Sequence, residues 1–278
     1  MYPVLDATDL HASYGHVPVL RGLSARFRSG RVTALVGPNG CGKSTLLKTI
    51  MGFVPLSSGA IRLGERSIGE IGRRELARRI AYLPQECHCP DYMTLGELIE
   101  LAGYARYGLA GGPTERDRAL FAEALQTVGL EDKAKAQVNT LSGGQRQRAF
   151  IAMVLAQDTD VILMDEPVNH LDMKYQYAVL GLVRELTDRH GKTVIVVLHD
   201  LNLASTFADD VIMLKAGRVL ASGPVEKTVT PENVAEVFDL EADIFSRQGR
   251  LICVPRLERQ GRLICVPRLE RQEQAIPA

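Results

Sequence analysis

The residues Gly37-Pro38-Asn39-Gly40-Cys41-Gly42-Lys43-Ser44-Thr45 follow the apolar stretch Val32-Thr-Ala-Leu-Val36 and fit the pattern G-x-x-x-x-G-K-[ST]. Such a loop binds phosphate. Glycines let the backbone curl until successive N–H groups face inward, where a Cβ would crowd the anion. Lys43 adds a point charge for β- and γ-phosphates, and the Ser44 hydroxyl is a ligand for Mg²⁺. Elsewhere, Val161-Ile-Leu-Met164 ends in Asp165-Glu166, a carboxylate pair suited to holding Mg²⁺ through the first acid while the second orients water. Seen alone, that pair also reads as a strand capped by solvated acids. Leu198-His199-Asp200 repeats the layout one strand later and puts an imidazole at the carboxyl edge of a sheet, where open α/β sheets bind ligands. With the loop present, the better reading of His199 is a γ-phosphate contact. Leu141-Ser142-Gly143-Gly144-Gln145 precedes a long helical run, with Ser142 as N-cap and two glycines exposing N–H groups at its positive end. It is a second anion site, without a lysine. As a bare pattern it is an ordinary capped helix.

These groups need a frame. Lys43 to Met51 has apolar residues at helical spacing and stops at Gly52, so a helix N-terminus points at the anion. Period-two alternation from Tyr2 to Phe27 predicts half-buried antiparallel strands ahead of the loop. Tyr14, in the turn between them, either stacks on a purine or packs against the turn. A strand is predicted over Gly59–Gly64, a basic helix over Arg73–Arg79, and a strand from Ile80 ending at Gln85. From about residue 86 to 157 the character turns helical: Thr94-x-x-Glu97 and Thr114-x-x-Asp117 read as capping boxes, and Leu120, Phe121, Ala124, Leu125 and Val128 form a core stripe. The segment Gly108–Pro113 reads as a flexible connection between those helices. Strands and helices then alternate through a helix from Tyr175 to His190, a strand over Thr193–Leu198, a short helix after Asp200, a strand over Val211–Leu214 and a helix opening at Thr230-Pro231. Apolar runs without alternation, Val161–Met164 and Val194–Leu198, are what a parallel sheet covered on both faces requires. The fold class is α/β.

The 278 residues allow a sizeable core, and 33 basic against 33 acidic residues give no charge excess for an extended nucleic-acid surface. The longest apolar run is too short to span a bilayer, and the N-terminus lacks a basic leader, so a soluble, unsecreted chain is expected. Five cysteines, at 41, 87, 89, 253 and 265, suit a reducing compartment. Cys87-His88-Cys89 reads as a plain loop rather than a metal site, since three adjacent ligands cannot easily surround one ion. Gly249–Gln260 is repeated identically as Gly261–Gln272. One copy suffices as a terminal strand, with Leu251–Val254 as its apolar centre, and the second is expected to be surplus to the fold.

Taken together and in this order, Gly37–Thr45, Gln85, Leu141–Gln145, Val161–Glu166, Asn169-His170-Leu171-Asp172 and His199 resemble the motifs of the ATP-binding cassette ATPases, from Tyr14 through about Phe238. The resemblance implies a P-loop core with an N-terminal antiparallel subdomain. It would form an ATPase domain over about residues 1–240, with the helical insertion at 86–157 and a C-terminal extension at 241–278. It also implies a head-to-tail homodimer, each ATP lying between one protomer's phosphate loop and the other's Ser142, Gly143, Gly144 and Gln145. Tyr14 would stack on adenine. Ser44, Gln85 and Asp165 would hold Mg²⁺ or water, Glu166 would polarise the attacking water, and His199 would steady it and the γ-phosphate. Asp172 would cross the interface. Asn169-His170 departs from the family's commoner small pair.

One cassette without a membrane span implies two separate integral-membrane permease subunits, with a periplasmic or surface substrate-binding protein acting indirectly. The chain would sit peripherally on the cytoplasmic face of the inner membrane. Arg146–Gln157, Val197–Asn202 and the brief C-terminal extension are closest to importer ATPases of the iron-siderophore, haem and cobalamin group. Ferric siderophores are the favoured substrate, with haem, cobalamin or another metal chelate as alternatives. Glu86–Tyr107 would be the permease contact. A non-transport cassette acting on DNA or ribosomes is the runner-up class, and the charge balance speaks against nucleic acid.

Overall fold

The computed structural model describes residues 5–107, 111–169 and 171–256. Strands β1 (Leu5–Tyr14) and β2 (Val17–Phe27) pair antiparallel across the Gly15-His16 turn. Strand β3 (Val32–Val36), buried throughout, feeds the phosphate-loop residues into helix α1 (Lys43–Ile50). β4 (Leu56–Leu63) returns to β1 and carries the short β5 (Arg66–Ser67), giving a four-stranded antiparallel sheet in the order β2-β1-β4-β5. β4 begins three residues before the predicted strand. α2 spans only Arg73–Ala77, shorter than predicted, and β6 (Ile80–Leu83) follows.

The helical segment comprises α3 (Leu95–Glu100), α4 (Glu115–Thr127) and α5 (Gly143–Ala156). Each opens with a complete capping box, at Thr94/Glu97, Thr114/Asp117 and Ser142/Gln145. Phe121, Ala124, Leu125 and Val128 are buried as the stripe requires, while Leu120 sits at its partly exposed margin. The chain re-enters the core through β7 (Val161–Met164), α6 (Met173–His190), β8 (Thr193–Val197), α7 (Leu201–Phe207) and β9 (Asp210–Lys215). Gly191, at φ 63, ends α6 as predicted. A hairpin not anticipated from the sequence adds β10 (Arg218–Pro224), then come α8 (Val225–Thr228), α9 (Pro231–Phe238), β11 (Ala242–Arg247) and β12 (Arg250–Pro255).

The central sheet runs β10-β9-β3-β8-β7-β6; its neighbours are parallel except for the β9–β10 edge pair. Side chains alternate between two cores. Val194 and Val196 of β8 pack on one side with α5, α6 and α7, whereas Ile195 and Val197 pack on the other with α1 and the antiparallel sheet. Both faces are therefore covered, which explains the unbroken apolar runs. The described part of the first repeat copy contributes β12, the last strand among the described residues, antiparallel to β11. The second copy, Gly261–Gln272, lies outside the described residues, as do His170 and residues 108–110 of the predicted connection. Among the described residues, no helix is long and apolar enough to cross a membrane.

Candidate active site

The phosphate loop is shaped by contacts only glycine permits. Gly37 has φ +149, and a Cβ there would fall 2.1 Å from the Leu214 carbonyl oxygen of β9. Gly42, at φ +109, caps α1 without a side chain, so the first-turn N–H groups are left to an outside acceptor. The loop is pinned from behind, since Gly217 N–H donates to Cys41 O at 3.0 Å and Arg21 N–H donates to Gly217 O at 3.0 Å. Burial pushes the Cys41 thiol up, against the opposing pull of Lys43. Lys43 is buried, and its Nζ donates to Gly37 O at 2.8 Å and Pro38 O at 3.0 Å. A buried ammonium held by loop carbonyls beside open N–H groups is the electrostatic complement of a phosphate.

At the loop's helical end, Ser44 Oγ donates to Asp165 Oδ1 at 2.9 Å, joining the start of α1 to the residue that follows β7. The Tyr82 hydroxyl donates to Asp165 Oδ2 at 3.4 Å, a contact the sequence did not announce. Asp165 is 1% exposed. Burial raises its carboxyl above the usual range; the Ser44 hydrogen bond works against that rise, and the adjacent Glu166 charge adds to it. Hydroxyl, carboxylate and the nearby Gln85 amide make an all-oxygen donor set of the kind a hard divalent cation takes.

Glu166 is the most heavily partnered group in the cleft. It lies at φ 53, in the left-handed region, and is buried. Gln85 Nε2 donates to its Oε2 at 2.7 Å, and His199 Nε2 stands 2.7 Å from its Oε1. Asn169 Nδ2 donates to the same Oε2 as Gln85, and Asn169 N–H donates to Glu166 O at 3.2 Å. The Asn169 side-chain contact was missed by sequence reasoning. The only available signal was the three-residue spacing after Glu166, which a left-handed Glu166 folds into a turn.

Tyr14, Asn39, Gly40, Gly42, Lys43, Ser44, Thr45, Gln85, Glu166 and His199 line one cleft of about 740 Å³, together with the unpredicted Val19 and Asn169. Tyr14 is 49% exposed there. Gly37, Pro38 and Cys41 form the back of the loop, and Asp165 lies beneath it. Ser142, Gly143, Gly144, Gln145 and Asp172 do not line this cleft. Ser142 and Gln145 cap the α5 N-terminus reciprocally, Ser142 N–H donating to Gln145 Oε1 at 3.1 Å and Gln145 N–H to Ser142 Oγ at 3.4 Å. Asp172 caps α6, accepting from Tyr175 N–H at 3.2 Å.

Residues 20–169 match the family model described as ABC transporter. The chain is 37% identical over 257 residues to the petrobactin import ATP-binding protein FpuD of Bacillus anthracis, covering 92% of this chain and 94% of that one. It is 39% identical over 252 residues to the hemin import ATP-binding protein HmuV of Streptomyces coelicolor, covering 90% and 89% respectively. Among solved structures, an ABC transporter in an inward-facing conformation superposes with a TM-score of 0.79 at 26% identity, covering 92% of this chain and 98% of that chain.

Proposed function

Since the chain belongs to the ABC transporter family, whose ATP-binding subunits are ATPases that partner membrane permease components, we propose that it powers import of a ferric siderophore through two separate permease subunits. The observation that carries the catalytic half is the cleft in which buried Lys43 faces a carboxylate, Glu166, oriented by Gln85, Asn169 and His199. The substrate half is supported by the import proteins for petrobactin, hydroxamate and enterobactin iron complexes that the chain resembles at 35–38% identity. Haem is the second reading, favoured by the 39% identity to a hemin import protein.

Lys43, the loop N–H groups and the α1 N-terminus bind the β- and γ-phosphates, and Tyr14 offers its ring to adenine. Glu166 accepts a hydrogen bond from the attacking water and polarises it, and His199 holds both the carboxylate and the γ-phosphate side of the cleft. Ser44, Asp165 and Gln85 are the residues that would hold Mg²⁺, and a bound Mg²⁺ would supply neutralisation of the negative charge on the phosphates. Ser142, Gly143, Gly144 and Gln145 of a second copy complete the site by presenting a capped helix tip to the triphosphate, with Asp172 crossing between the copies. Closing of the homodimer is then coupled to ATP and reopening to hydrolysis.

The working unit covers about residues 1–240, with the helical insertion at about 86–157 meeting the permease through residues 86–107. Residues 241–278 form a C-terminal extension. The protein acts at the cytoplasmic face of the membrane, and an external binding protein delivers the chelate to the permease. The discriminating experiment is uptake of labelled ferric siderophore, haem and cobalamin by cells with and without this chain. Selective loss of siderophore uptake is expected; loss of haem uptake alone moves the substrate to haem, and undiminished uptake of all three overturns the importer reading.

A further inference from the structure

Asn202 commits both ends of its side-chain amide to the C-terminal hairpin. Its Nδ2 donates to Cys253 O at 3.2 Å, and its Oδ1 accepts from Cys253 N–H at 2.7 Å. The amide thus pairs with β12 as a neighbouring strand would, on the side turned away from β11, where Cys253 lies opposite Ile244. Three residues earlier stands His199. Between them Asp200 caps α7, its Oδ1 accepting from the N–H groups of Asn202 at 2.6 Å and Leu203 at 3.2 Å. The turn that follows His199 is therefore held twice, by its own cap and by β12.

The hairpin is itself anchored to the core. Lys215 Nζ, at the end of β9, donates to Glu236 O and to Asp239 Oδ1, each at 2.7 Å, fixing the last turn of α9 from which β11 departs. Arg256 N–H donates to Glu241 O at 2.8 Å, and its guanidinium pairs with Asp243, closing the hairpin's open end. β9 is the same strand whose Leu214 carbonyl abuts Gly37. An open groove of about 410 Å³ beside this tie is lined by His199, Leu201, Phe238, Leu240 and Cys253, so the His199 turn and the hairpin share one surface.

We propose that the C-terminal hairpin is a strut that sets the position of His199, and that Asn202 is the positioning residue that transmits it. This rests on the reading of His199 as a group at the γ-phosphate. An ornamental hairpin, merely packed against α7, would affect stability when detached. A strut would affect turnover while leaving nucleotide binding alone, because Lys43 and the phosphate loop do not touch it.

The test uses the purified full-length chain with Asn202→Leu, Cys253→Pro, the double variant and His199→Ala. Cys253→Pro removes the N–H donor from the β12 side, where the strand has its free edge. Each of the two tie variants is expected to lower kcat for ATP about tenfold while KM stays within about twofold. The double variant should fall no further than the worse single one, since both cut one connection. His199→Ala should lower kcat at least as much. If Asn202→Leu lowers only the melting temperature, or raises KM with kcat intact, the strut is refuted while the site reading stands. If His199→Ala itself keeps full kcat, the site reading fails and the strut with it. Should Asn202→Leu not fold, Cys253→Pro decides by the same criteria.

Discussion

His199 Nε2 and Glu166 Oε1 lie 2.7 Å apart, each two residues past the end of its own strand, β8 and β7, which neighbour each other in the central sheet. The other carboxylate oxygen is held by Gln85 and Asn169. A carboxylate so oriented has its geometry fixed before any water arrives. Glu166→Gln keeps the shape and the capacity to bond but removes the charge that polarises water. Turnover should drop by about 10²- to 10⁴-fold while ATP binding persists. Phosphate release and equilibrium nucleotide binding measured on the same preparation check this, and size-exclusion chromatography with ATP should show a trapped dimer. Hydrolysis close to the unmodified rate would place the base elsewhere.

Lys43 gives a prediction about binding rather than turnover. Its Nζ rests on the Gly37 and Pro38 carbonyls, so an incoming phosphate meets a cation already in place. Lys43→Met preserves the stem and deletes the charge-assisted bonds. ATP affinity should weaken by about 1.5–3 kcal/mol, roughly ten- to over a hundredfold. Titration with a fluorescent ATP analogue measures it.

How much of this was readable in advance depended on how local the chemistry is. Thr94, Thr114 and Ser142 announced their helices because a capping box is complete within four residues. Gly37 and Gly42 announced the loop because their φ values exclude side chains. Strand β10 stayed hidden because its hairpin turns on Ala216-Gly217, at φ 49 and 81, rather than on the Asn-Gly or Asp-Gly pair that usually marks such a turn. Asn169 and Asn202 stayed hidden because their partners are chosen by tertiary placement: Asn202 meets Cys253 across 51 residues. Asn169 meets Glu166 only because that glutamate turns left-handed.

Asp165 should show a trade between stability and function. Its folded-state pKa is raised above the unfolded value, with burial the largest cause. The native state therefore holds more protons than the unfolded state between those two values, and stability declines as pH rises through that window and stays lower above it. Asp165→Asn deletes the charge while its amide oxygen can still accept from Ser44. At neutral pH the variant should melt above the unmodified protein, and the difference should shrink as pH falls through the raised folded-state value toward the ordinary aspartate value. Its Mg²⁺-dependent hydrolysis should be lost. Melting curves across pH, read beside phosphate release, test both halves. A variant less stable at every pH would contradict the burial argument.

Arg106 shows how the helical segment is held to the site. Its Nε donates to Asp117 Oδ1 at 2.7 Å, and its two terminal nitrogens donate to Gln157 O at 2.6 Å and Ala156 O at 3.0 Å. One guanidinium thus joins the first turn of α4 to the C-terminal carbonyls of α5, the helix that begins at Ser142-Gly143. Asp117 is 4% exposed, and burial alone would raise its pKa; hydrogen bonds from Thr114 and then the Arg106 guanidinium outweigh burial and hold it below the usual carboxylate range. A lowered folded-state pKa means the stabilisation is complete above the ordinary aspartate value and is lost as pH falls through the lowered one. Arg106→Ala strands a buried carboxylate and two carbonyls, and should cost about 2–3 kcal/mol at neutral pH. Arg106→Lys, a point charge unable to span all three acceptors, should recover only part of that. Urea unfolding of the three proteins at neutral pH and near pH 3 gives the comparison. The gap between Arg106→Ala and the unmodified chain should narrow in acid, and a gap that stays constant would show that Asp117 contributes no charge to the joint.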